Sequence, residues 1–150
     1  MFRKAADLAT AALSLIELAE TPDIHKKPEL AATLEFAAAV LATHVMDWHY
    51  LERGVKETLA SGDYEEFKKD YPQWDALRQI ANGTKHPVQK YPHVSAAVRR
   101  EAEWEDDQWW ESVPGRSQQF IDVSGKDRGV RTLTWSFCNQ YLRSEPNRTP

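Results

Sequence analysis

The sequence predicts a mainly α protein: a bundle of about four helices with a small β element in the C-terminal third. Two observations carry that prediction. Apolar residues recur at helical spacing almost without interruption from Phe2 to Asn82. The one dense group of β-formers, Phe120, Ile121 and Val123, lies far downstream.

The first helix is predicted from Phe2 to Glu20. Leu8, Ala12, Leu15 and Ala19 form one stripe, and Ala9, Leu13 and Ile16 a second beside it. So wide an apolar face suits a helix packed against two neighbours. Thr21-Pro22-Asp23 ends it, and His25 falls in the loop that follows.

The second helix should be the longest, from about Pro28, tolerated in a first turn, to Ala60. Leu30, Leu34, Ala37, Leu41, His44, Trp48, Leu51 and Val55 alternate steps of four and three, the seam of a helix packed on helices. Gly54 is a candidate break, and Ser61-Gly62 reads as the C-terminal stop. Asp63 with Glu66 resembles a capping box opening a short helix through Lys69. A further helix runs from about Gln73 to Asn82 and is ended by Gly83.

Beyond this point the pattern changes. Residues 94–113 fit neither period. Gln118–Val123 reads as a strand, Ser124–Gly129 as a turn bounded by glycines, and Val130, Leu133, Phe137 and Tyr141 as a closing helix. Residues 1–143 are therefore expected to be one helical domain, and 144–150 a frayed tail. Trp48, Trp74, Trp135 and Phe137 stand at core spacing.

At 150 residues, with 41% hydrophobic and 28% charged residues, the chain has ordinary globular composition. A net charge of −4 argues against a surface that is basic throughout. Charge is uneven: residues 101–111 hold Glu101, Glu103, Glu105, Asp106, Asp107 and Glu111 with no base, whereas the C-terminal third is basic. A single cysteine, Cys138, excludes an internal disulfide and a Cys-rich zinc site, and its neighbours Trp135, Phe137 and Leu142 suggest a buried thiol. Asp7 and Glu17 interrupt the first apolar stretch, so neither a signal peptide nor a membrane partner is expected and the localisation predicted is cytoplasmic.

The richest chemistry lies in Arg78-Gln79-Ile80-Ala81-Asn82-Gly83-Thr84-Lys85-His86. Arg78, Asn82 and His86 are spaced by four and would share a face of a continuous helix. A guanidinium can hold a phosphate, an amide can orient it, and an imidazole exchanges protons near neutral pH. Lys85 adds a substrate-binding cation. The competing reading is purely local: Asn82-Gly83 as a C-cap, with Lys85 and His86 complementing the helix dipole.

His44 is a second candidate, with Asp47 three residues on. Such a pair orients an imidazole or begins a metal site, but a metal needs three or four converging ligands. A satisfied, buried His–Asp pair or a packed rim position is the plainer expectation. Trp104, Trp109 and Trp110, set among the acids, form a third candidate, a partner-binding patch.

Asn82-x-x-x-His86 resembles the polar half of the Arg-Asn-x-x-x-His signature of the HEPN superfamily, compact helical domains that include many metal-independent RNases. The position before Asn82 holds Ala81 here, and the nearest arginine is Arg78. The resemblance implies a protein of a bacterial or phage conflict system such as toxin–antitoxin or phage defence. It would be either an RNase or an inactive relative, working as a homodimer on RNA without metal or other cofactor. Arg78 would then hold the phosphate, Asn82 orient it, and His86 serve as general acid or base. The alternative from the residues themselves is a small acidic binding module, without catalysis, that presents Trp104, Trp109 and Trp110 to a protein partner.

Overall fold

The protein is mainly α, a helical bundle with a small antiparallel sheet near its C-terminus. The computed structural model describes residues 2–54, 61–85, 98–101, 117–123 and 125–144, with backbone alone at 61, 83–85, 98–101, 117–118 and 127. The described elements are α1 (Ala5–Ala19), α2 (Pro22–His25), α3 (Pro28–Glu52), α4 (Ser61–Asp70), α5 (Pro72–Lys85), β1 (Val98–Glu101), β2 (Ser117–Val123), β3 (Lys126–Gly129) and α6 (Val130–Ser144).

α1 starts where Asp7 reaches back to accept hydrogen bonds from the Arg3 and Lys4 backbone N–H groups, at 2.7 and 3.0 Å. These bonds hold the Asp7 carboxyl below its ordinary value of 3.8. The anchor is therefore complete above that pH and is lost as the pH falls below it. The first free N–H of the helix, that of Ala5, donates to Glu52 at the far end of α3. α1 and α3 thus lie antiparallel, with α2 as their connection. The predicted loop around His25 is instead this four-residue helix, opened by Pro22 at its first turn.

α3 is the centre of the bundle, and α1, α5 and α6 all pack on it. At 25 residues it is about 37 Å long. Its mean hydropathy of 1.3 over 18 residues makes it long and apolar enough to cross a membrane by composition. Here it is a core helix, and its buried face differs from the predicted seam. Ala31, Glu35, Ala38, Ala42, Val45 and His49 are buried, also in steps of four and three but one residue further along. Leu30 and Leu51 of the predicted seam are exposed, as are Ala37 and His44. The reason is steric: α1 packs on α3, and the buried faces of both helices are rich in alanine, so small residues let the backbones approach closely. Arg53 caps α3, and Gly54 takes a φ of +67°, the left-handed conformation that glycine adopts without penalty after a helix. The helix therefore stops short of the predicted Ala60, and Ser61-Gly62 begins α4 instead of ending α3.

At the Tyr50 end of α3 the core is aromatic. Phe67 and Tyr71 from α4 and its exit meet Trp74 of α5, Phe137 and Tyr141 of α6, and His49 and Tyr50 of α3. The buried His49 Nδ1 lies 3.0 Å from the Tyr141 hydroxyl. Trp74 and Phe137 are core residues as expected, but Trp48 is half-buried and Trp135 is 45% exposed.

The strand order is β1-β2-β3, antiparallel throughout. Val123 pairs with Lys126, leaving a two-residue hairpin loop in which Gly125 has φ +79°. Lys126–Gly129, predicted as turn, is therefore the third strand. Its charged residues are poor β-formers, and pairing with β2 overrides that preference. The sheet is tied to the bundle by Glu35, fully buried on α3, whose carboxylate accepts the Gln119 N–H at 2.8 Å.

If the alanine face of α3 sets its packing, Ala42→Leu will overpack the α1 contact and destabilise the protein by about 1–3 kcal/mol. Ala37→Leu, on the exposed predicted seam, will change stability by less than about 0.5 kcal/mol. Urea denaturation of the two variants checks this.

Candidate active site

α5 runs through Gly83 to Lys85 instead of ending before it. A glycine inside a helix costs about 1 kcal/mol relative to alanine. Burial of Trp74, Leu77, Ile80 and Ala81 outweighs that cost. The continuous helix sets Trp74, Arg78 and Asn82 in one row spaced by four, and that row faces α3.

The two helices enclose a cleft of about 230 Å³. Thr43, His44, Met46 and Asp47 of α3 form one wall, Trp74, Arg78 and Asn82 of α5 the other, and Tyr64 of α4 closes one side. Two sets of residues that are far apart in sequence, His44 with Asp47 and Arg78 with Asn82, thus meet in one place. The walls are pinned where the Trp74 indole N–H donates to the Thr43 carbonyl at 3.0 Å.

On the α5 side, Asp75 Oδ1 accepts from Arg78 Nε and Nη2 at 3.1 and 2.8 Å, and Asp75 Oδ2 accepts from Gln79. The guanidinium carbon lies 5.8 Å from the centre of the Trp74 ring. Arg78 is held by these contacts, while its Nη1 has no partner among the described residues. Nor does the half-buried Asn82 amide have a hydrogen bond there. Both remain available as donors into the cleft.

On the α3 side, His44 Nδ1 lies 3.1 Å from Asp47 Oδ2. Of the two expected placements, a buried pair or a rim position, the pair takes the rim, with the side chains 46% and 49% exposed. An ionised carboxylate only accepts, so Nδ1 is the protonated nitrogen and Nε2 is left for proton exchange. Among the described residues no third His, Cys, Asp or Glu joins them to make a metal site.

His86 lies outside the described residues, as do Trp104, Trp109, Trp110 and the side chain of Lys85. Tyr64, Thr43 and Met46 were not singled out from the sequence, and Trp74 was read only as core. The recurring step of four through Trp74, Arg78 and Asn82 was the available signal.

A second cavity, about 330 Å³, is lined by Glu20, Pro22, His25, Lys26 and Arg131. Arg131 is almost buried and faces Glu20 at 3.4 Å, so its principal charge is already balanced. No family model, curated protein or solved structure matches the chain.

Cys138 is buried in the core, and desolvation pushes its thiol from 9.0 up to about 12. The neutral thiol is favoured by folding, a contribution that is full below pH 9 and is lost as the pH rises toward 12. We expect Cys138 to resist alkylation at pH 8 in the native protein and to react fully in denaturant. Mass-spectrometric labelling across a urea series should therefore follow global unfolding.

Proposed function

We propose that this chain is a HEPN-like, metal-independent endoribonuclease of a bacterial or phage conflict system, acting in the cytoplasm on RNA. The observation that carries the reading is the convergence of Arg78 and Asn82 with His44 and Asp47 on a single open cleft. Phosphodiester cleavage in RNA needs no external nucleophile, because the ribose 2′-hydroxyl attacks the adjacent phosphorus. A protein need only hold the phosphate and move two protons. Arg78 Nη1 and the Asn82 amide supply donors for the phosphate oxygens. His86, four residues after Asn82, is proposed as an acid–base group, and Lys85 as an added contact to the RNA.

The resemblance also implies a homodimer, and the outer face of α3 supports one. Leu30 and Leu51 are 40% and 60% exposed at its two ends, with Leu34, Leu41 and Trp48 half-buried between them at the same seam spacing. His44 lies in the same row, so two copies associating there would bring their clefts together.

Purified protein should cut mixed single-stranded RNA in excess chelator and leave 2′,3′-cyclic phosphate ends. Arg78→Gln should lower the rate by on the order of 10²-fold or more, and His86→Ala by a similar factor. Absence of cutting by the wild-type chain would turn the assignment to the acidic, tryptophan-presenting binding module. For the dimer, a Leu30→Lys, Leu51→Lys double variant should sediment as a monomer with unchanged helix content, against a dimeric wild type.

A further inference from the structure

We propose that His44, oriented by Asp47, contacts the substrate phosphate from the α3 wall opposite Arg78 and is the general base of the cleft. This rests on the ribonuclease reading for its chemistry, but the phosphate contact stands or falls independently of it.

Three observations lead there. His44 lines the same cleft as Arg78 and Asn82. Its Nδ1 is held 3.1 Å from the Asp47 carboxylate, which fixes the tautomer with the lone pair on Nε2. Nε2 has no partner among the described residues, and the side chain is open to solvent. The charged and titratable groups facing it are Asp47 on its own helix, Tyr64 on α4 and Arg78 on α5. Asp75 is bonded to Arg78, with Lys68 3.8 Å from Asp75.

In the reaction, His44 Nε2 takes the proton of the ribose 2′-hydroxyl as its oxygen bonds to phosphorus. The bond from phosphorus to the 5′-oxygen breaks, and the leaving 5′-oxygen takes a proton from water, whose hydroxide is neutralised by the proton that His44 has accepted. The products are a 2′,3′-cyclic phosphate and a free 5′-hydroxyl, with atoms and protons balanced. Asp47 touches neither substrate nor phosphate in this scheme and is a positioning residue.

The tyrosine ring at the cleft's side bears on the substrate. Tyr64 is half-buried beside Trp74, with ring centres 6.1 Å apart, and offers an aromatic surface on which a base can stack. Stacking of this kind requires an unpaired base, so the substrate class is single-stranded RNA.

The test titrates histidine-labelled full-length protein by NMR with and without uridine 3′-monophosphate. Among the five histidines, His44 is assigned by the signal lost in His44→Gln. The phosphate should raise the His44 titration midpoint by roughly one unit or more, and Arg78→Gln should abolish that rise. A midpoint unmoved by the nucleotide overturns the proposal, as does a rise that survives intact in Arg78→Gln.

The same proteins are then assayed on single-stranded RNA. His44→Gln should lower kcat by about 10²–10⁴-fold and remove the acidic limb of the pH–rate profile, with a smaller loss in Asp47→Asn. An acidic limb retained in His44→Gln overturns the assignment as base. Should the wild-type chain cut nothing, the ribonuclease reading and the base role both fall, while the NMR titration still decides the phosphate contact.

Discussion

The close approach of α1 to α3 sets the rest of this structure. The buried faces of both helices are rich in alanine: Ala31, Ala38, Ala39 and Ala42 on α3, and Ala5, Ala9, Ala12 and Ala19 on α1. Successive residues on a helix are turned by about 100°, so choosing this row over its neighbour rotates every other side chain on α3 by that angle. Had the leucine row been buried, His44 would lie in the core and its pairing with Asp47 would be a matter of burying charge. With the alanine row buried, His44 and Asp47 stand at the rim of the cleft, where both are wet. The site on α3 is thus a consequence of a packing choice made on the opposite side of the helix.

The α5 wall has a separate origin. Its inner face is held by the aromatic cluster, in which Trp74 is almost completely buried and hydrogen-bonded to the Thr43 carbonyl. Burying one large apolar side chain contributes on the order of 1.5–3 kcal/mol, enough to carry the helix across Gly83. The next two positions in the row, Arg78 and Asn82, are half-buried and line the cleft beyond that buried base. Arg78 then gains a fixed orientation from Asp75 and the face of Trp74. A guanidinium restrained in this way loses less freedom on binding a phosphate than a loose one would.

The class of fold, the strand at Gln118–Val123 and the closing helix were legible because each depends on local pattern. The seam of α3 was not. Two rows with the same alternation of four and three lie side by side on it, and the larger residues suggested the wrong one. Which row is buried depends on the residues of α1 that oppose it, a non-local fact. The third strand was hidden for a related reason, since Lys126–Gly129 has no strand character apart from its partner. At the site, the residue types at 44, 47, 78 and 82 were readable, but their meeting was not, because it needs the relative placement of α3 and α5.

Position 81 bears directly on the proposed chemistry. The resembled signature places arginine immediately before the asparagine, where this chain has Ala81. Ala81 is buried, so a guanidinium there would have to displace core packing before it could reach the cleft. Arg78 lies one turn earlier and on the same face as Asn82, and it lines the cleft directly. On this helix position 78 faces the cleft and position 81 does not, so a cation supplied from α5 comes from Arg78. Position 78 also sets the guanidinium against Asp75, which restrains it, and across the cleft from His44.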